Sequence, residues 1–258
     1  MSVELFSRVL GSGNETDLII LHGLLGSADN WQTLGKKYAD EYKVHLIDAR
    51  NHGRSPNDNH HSYNLMVSDL LKYLDDNGIE KATLLGHSMG GKTVMHFAEL
   101  HPERVSKLIV ADIAPRAYKA HHGPIFKALL LTDPANAESR ESIESVLREN
   151  LGEEKVLIPF LMKGLYRIKE GGYAWRFNVP VLFETLESVT DNIEVNMNTL
   201  PALFIRGLNS TYVSDEDLDM LEDVYMQLQT VDLDDAGHWL HAEKPEEFFE
   251  ATSEFLAS

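Results

Sequence analysis

The run Gly86-His87-Ser88-Met89-Gly90 is the stretch of this chain whose chemistry is easiest to read. It follows a buried-strand pattern, Ala82-Thr83-Leu84-Leu85, and leads into a helical pattern from Gly91 to Ala98. A serine in a G-x-S-x-G setting between strand and helix fits a sharp, strained turn that lifts Oγ above a sheet. The flanking glycines let neighbouring backbone approach, and the first N–H groups of the helix point to where negative charge would develop. The chemistry implied is attack by Ser88 on a carbonyl carbon. A serine hydroxyl is a weak nucleophile until a base takes its proton. Of the histidines that follow strand patterns (His22, His52, His87 and His238), only His238 comes late enough for the order Ser…Asp…His. His241 is its nearest competitor, and His87, beside Ser88, is expected to support the turn.

An acid must hold the imidazole in its tautomer. The loop after the strand pattern at 202–206 reads Gly207-Leu208-Asn209-Ser210-Thr211-Tyr212 and has no carboxylate. Asp215 and Asp217 come later, at a helix start where acids suit the dipole. Asp112 stands at the carboxyl end of the strand pattern 107–111, among apolar neighbours where an Asp without a role is costly. Asp112 is therefore expected to be the acid, with Asp215 and Asp217 as alternatives. Asn209 and Ser210 are placed to hydrogen-bond to the set without adding charge. The turn Leu21-His22-Gly23-Leu24-Leu25-Gly26 brings the N–H of Leu24 toward that of Met89, giving two donors for an oxyanion.

These residues need a scaffold that gathers strand ends. Apolar runs at 17–21, 43–47, 82–85 and 107–111 alternate with amphipathic segments at about 29–41, 65–77 and 89–101. Unbroken apolar strands between helices predict a parallel sheet covered on both faces, with its crevice at the carboxyl ends of the strands. From 116 to 198 only helix signals appear: a start at Asp133-Pro134, a continuation at 144–148, and an apolar stripe over 155–169 that Gly171-Gly172 would stop. Strand patterns return at 201–207 and 228–233, with helices at 215–226 and 245–256. The expected architecture is an α/β core of residues 1–115 and 199–258, interrupted by a helical cap of residues 116–198.

Composition narrows the function. The 258 residues include 41 acidic and 23 basic side chains, a net charge of −18 that opposes binding to nucleic acid. There is no cysteine, which excludes disulfides, a thiolate nucleophile and Cys-based zinc sites. No apolar run approaches the length of a membrane span, and the N-terminal residues lack the pattern of a signal peptide, so a cytoplasmic location is expected. His60-His61 and His121-His122 have no partner at ligand spacing, so no metal is expected.

The chain resembles the α/β-hydrolases and, more narrowly, the bacterial YbfF-type esterases. The resemblance rests on 22–27 (HGLLGS), 48–55 (DARNHGRS), 86–91 (GHSMGG), 111–115 (ADIAP), 204–207 (FIRG) and 237–245 (GHWLHAEKP). It implies an α/β-hydrolase fold with the cap inserted after the sixth strand, and it favours Asp112, since that group takes its acid after this earlier strand. It also implies esterase activity on short to medium acyl chains, extending to acyl thioesters, without a cofactor. The substrate expected is a small-molecule ester or thioester. Trp175 in the cap and Trp239 beside the base are expected to contact it, although core packing suits Trp175 as well. Lys163, Arg167 and Lys169 along one predicted cap helix would suit the phosphates of an acyl-CoA. A ligand receptor on a hydrolase scaffold is the non-enzymatic alternative.

Overall fold

The computed structural model describes residues 1–258 apart from Ala120, His121, Glu154 and Glu170. Nine strands are described: β1 (Ser7–Leu10), β2 (Asp17–Leu21), β3 (Lys43–Ile47), β4 (Ala82–His87), β5 (Val105–Ala111), β6 (Leu165–Arg167), β7 (Tyr173–Trp175), β8 (Asn198–Gly207) and β9 (Tyr225–Leu233). The α-helices are α1 (Gln32–Tyr38), α2 (Tyr63–Asp76), α3 (Met89–Leu100), α4 (Gly123–Leu131), α5 (Arg140–Leu151), α6 (Leu157–Lys163), α7 (Val179–Glu184), α8 (Leu186–Thr190), α9 (Asp215–Val224), α10 (Leu240–Glu243) and α11 (Pro245–Ala257).

Seven strands form one sheet in the order β1-β3-β2-β4-β5-β8-β9. Only β1 runs antiparallel, against β3. The apolar runs alternate between the two faces with the strand period of two. Ile19, Leu21, Leu84, Val110 and Phe204 pack under α2, α3 and α9. Leu18, Ile20, Leu85, Ile109 and Leu203 pack under α1 and α11. The strands after which chemistry was expected thus end along one edge of the sheet.

Several expectations change. The insert follows the fifth strand of the chain, not the sixth. The first residues form no strand, because their N–H groups go to side chains instead of a ladder: Val3 N–H donates to Asp69 Oδ1 and Phe6 N–H to Ser55 Oγ. In the insert, the helix expected over 155–169 ends at Lys163. Leu165–Arg167 then pairs with Tyr173–Trp175 as a hairpin. Gly164 breaks the helix where a side chain would press into the Phe177 ring, and Gly171 and Gly172, at φ of 109° and 76°, build the hairpin turn instead of a helix stop. The start signal at Asp133-Pro134 yields a single 3₁₀ turn, Pro134–Asn136; α5 begins at Arg140 behind a Ser139 capping box.

The insert has its own apolar cluster, including Phe126, Ile143, Leu147, Ile158, Leu161 and Leu182, which meets the sheet domain at Leu25. Its two roots are bonded to each other, Tyr118 N–H to the Thr190 carbonyl (2.7 Å) and Ile193 N–H to the Pro115 carbonyl (2.9 Å). Lys92, buried on α3, ties both roots to the helix: its Nζ donates to the carbonyls of Arg116 (2.7 Å) and Asp191 (2.5 Å). Burial pushes the Lys92 ammonium down to about 8; the Asp191 carboxylate opposes the shift and Arg116 adds to it. An unfolded lysine keeps its proton to about 10.4, so between those values the unfolded chain binds more protons and this group makes stability rise with pH. Urea unfolding should show the wild type gaining stability relative to Lys92→Met as pH is raised from about 8 to about 10.

Candidate active site

Ser88 sits on the turn between β4 and α3 at φ 53°, a left-handed conformation that costs a non-glycine residue energy. Its neighbours explain how the turn is held. A side chain on Gly86 would collide with the Gly90 carbonyl, and one on Gly90 would collide with the carbonyls of Leu21 and His22. Ser88 N–H donates to the Ala111 carbonyl at the end of β5 (3.1 Å).

The next residue on that strand, Asp112, is fully buried and also left-handed, at φ 49°. Its N–H reaches across to the Ile205 carbonyl of β8 (2.8 Å). One carboxylate oxygen accepts from Gly207 N–H (3.2 Å); the other accepts from the Ser210 hydroxyl and from His238 Nδ1 (2.7 Å). Burial pushes this carboxyl up to about 7, against the lowering effect of the Ser210 and Gly207 hydrogen bonds and of Arg206. With Nδ1–H donating to Asp112, His238 Nε2 is the acceptor for Ser88 Oγ–H at 3.0 Å.

The His238 loop is pinned from several directions. His87 Nε2–H donates to the His238 carbonyl (2.7 Å). The Glu243 carboxylate accepts the N–H groups of Gly237 (2.7 Å) and Trp239 (3.3 Å). The Tyr212 ring lies on the imidazole, with centroids 3.8 Å apart and planes 15° from parallel. Nothing in the sequence pattern marked Tyr212, whose contact depends on how the loop after β8 folds back. Ser210, by contrast, makes the uncharged bond expected of it. The competing residues are engaged elsewhere. Asp215 pairs with Arg206 (2.7 Å), Asp217 pairs with Arg116 (2.9 Å) and caps α9, and His241 is stacked flat on Trp31.

Two buried histidines frame the loop that carries Leu24. His22 donates from Nδ1 to the Gly23 carbonyl (2.8 Å) and accepts the Ala49 N–H at Nε2 (3.0 Å). His52 donates from Nδ1 to the Arg50 carbonyl (2.9 Å) and accepts the Leu25 N–H at Nε2 (3.1 Å). Burial lowers both pKa values, that of His52 well below the ordinary range, so each ring is a neutral bridge between the β2 and β3 loops. Leu25 takes φ 61°, and Gly23 approaches so closely that a Cβ there would lie 3.3 Å from Ser88 Cβ. Met89 opens α3, so its N–H precedes the helical ladder. Leu24, Ser88 and Met89 share the wall of one small hollow.

Above Ser88 and His238 lies a cavity of about 230 Å³, lined on its apolar side by Ile125, Leu157, Phe160 and Trp239. Trp239 is thus positioned for contact with a bound molecule. Trp175 is not: it stacks on Phe177 and donates its indole N–H to Thr132 Oγ1 (3.1 Å), inside the packing of the insert. The row of cations imagined along one helix also dissolves, since Lys163 ends α6, Arg167 lies in β6 and Lys169 follows it. His121 lies outside the described residues. Among the described residues, no group of three His, Asp or Glu side chains is arranged to hold a metal ion.

The chain belongs to the α/β-hydrolase family. Residues 17–140 match the model described as the alpha/beta hydrolase fold. Esterase YbfF of Escherichia coli (strain K12) is 38% identical over 244 residues, covering 94% of each chain. The sn-1-specific diacylglycerol lipase ABHD11 of Danio rerio is 35% identical over 255 residues, covering 95% of this chain and 80% of that one. A solved marine microorganism esterase superposes with a TM-score of 0.94 at 39% identity, over 98% of this chain and 100% of that one.

The turn makes a direct prediction. Gly90→Ala should destabilise the fold by about 1–3 kcal/mol or more, because backbone must move to admit the methyl. Gly13→Ala, where a Cβ meets nothing within 4 Å, should stay close to wild type in the same urea titration.

Proposed function

We propose that this protein is a serine esterase acting on short to medium acyl chains, with Ser88 as nucleophile, His238 as general base and Asp112 as the acid that orients it. The observation that carries this is the unbroken chain of contacts from Ser88 Oγ through both ring nitrogens of His238 to a buried Asp112. His238 Nε2 takes the Ser88 proton as Oγ attacks the ester carbonyl, and the N–H groups of Leu24 and Met89 receive the developing oxyanion. His238 returns the proton to the departing alcohol oxygen. It then activates water, which releases the acid from Ser88. Residues 116–198 act as a cap over a core of 1–115 and 199–258, and Trp239 contributes to the substrate wall. The esterase and lipase names of the relatives support the same reaction class.

Hydrolysis of a chromogenic ester by wild type and Ser88→Ala tests the reading. The variant should lose on the order of 10⁶ in kcat, and wild-type turnover that survives the substitution would refute the assignment. Asp112→Asn should lose roughly 10⁴ in kcat while remaining folded. The acid limb of the pH–rate profile carries a further expectation. Asp112 accepts from Nδ1–H only as a carboxylate, and its carboxyl is pushed up to about 7. Activity should therefore hold above that value and fall as pH drops through it. A profile flat down to pH 5 would contradict this.

A further inference from the structure

Two cavities meet at Ser88. The larger, of about 230 Å³, has His238 and Trp239 in its wall. The smaller, of about 20 Å³, lies between Ser88, Met89 and Leu24 on one side and Tyr63, Ile113 and Val189 on the other; His238 does not line it. Leu24, Ser88, Tyr212 and His122 line both, and the Tyr212 hydroxyl lies 3.4 Å from His122 Nε2 where the two adjoin.

We propose that the acyl group of the substrate occupies the smaller cavity and the alcohol the larger, which makes the protein selective for esters of acetyl-sized acids with larger apolar alcohols. This rests on the serine esterase reading and names its substrate class. The argument is stereochemical. When the Oγ–C bond forms, the tetrahedral carbon carries Oγ, the oxyanion, the acyl chain and the alcohol oxygen. The C–O bond to the alcohol breaks as His238 passes that oxygen the proton it took from Ser88, so the alcohol must stand beside His238. The cavity walled by His238 therefore takes the alcohol, and water enters from the same side for the second step. The oxyanion meets the Leu24 and Met89 N–H groups at the mouth of the smaller hollow, and the acyl chain is left with the part walled by Tyr63, Ile113 and Val189, which His238 does not reach.

Size then sets the selectivity. One water-sized sphere needs about 10–15 Å³ in this measure, so about 20 Å³ admits a methyl group and little more. The hollow has stiff walls. The Tyr63 hydroxyl donates to the Val189 carbonyl (2.7 Å), and Ile113 packs so tightly against α3 that a Cβ on Gly91 would lie 2.5 Å from it. A longer acyl chain must displace packed atoms, whereas a longer alcohol fills an existing apolar cavity.

Two ester series test this on the wild-type protein. With 2-naphthol fixed as the alcohol, kcat/KM should fall ten- to a hundredfold from acetyl to hexanoyl. With acetate fixed, kcat/KM should rise from methanol to hexanol, by up to about fourfold per methylene. Val189→Ala should move the acyl optimum toward butyryl, and Ile113→Val gives the same readout if the first variant fails to fold. A wild type that prefers hexanoyl to acetyl, or a Val189→Ala optimum that does not move, overturns the proposal. Labelling by a fluorophosphonate, with Ser88→Ala as control, keeps the two readings apart. Loss of labelling at Ser88 would sink the esterase reading itself, whereas labelling at Ser88 with the chain-length order inverted sinks only the cavity assignment.

Discussion

The arrangement of this protein turns on a carboxylate that has no contact with water. Asp112 is fully buried between the ends of β5 and β8. An ionised group in such a place is costly unless donors surround it. The structure supplies three: a backbone N–H and a hydroxyl from the end of β8 and its loop, and an imidazole from the loop after β9. Satisfying the carboxylate therefore fixes the β8 loop, the β9 loop and the strand end relative to one another. The left-handed backbone at Ser88 and at Asp112 is held by the same logic, since each N–H is spent on the carbonyl of a neighbouring strand.

A second layer of order comes from histidines that carry no charge. His22, His52 and His87 are all buried, and desolvation lowers the pKa of each. A neutral imidazole offers one donor and one acceptor on opposite sides of a rigid ring. His22 and His52 use both, and so cross-brace the loops that follow β2 and β3. His87 sends its donor to the His238 carbonyl, linking the serine turn to the loop that faces it.

Much of this was legible in the residues because it is local. The strands at 17–21 and 43–47 were readable to the residue, as apolar runs bounded by turns, and the Gly86–Gly90 spacing announced its own turn. β1 was not legible: Ser7–Leu10 is an edge strand with Val9 exposed, so it shows no buried run. The 155–169 stripe misled for a different reason. Leu165 and Ile168 continue a helical spacing, but Gly164 lies against the Phe177 ring, a neighbour thirteen positions away that no periodicity reports. Tyr212 on His238, and Trp175 turned into the insert, are likewise facts of tertiary packing.

The clamp by Lys92 has a consequence for how freely this protein could change over evolutionary time. Both acceptors are main-chain carbonyls, at Arg116 and Asp191, and every amino acid supplies one. The attachment of the insert to α3 thus asks for one particular side chain on the helix and for none on the insert. Sequence drift in residues 116–198 can therefore reshape the walls that Ile125, Leu157 and Phe160 give the cavity beside Ser88 without loosening this fastening.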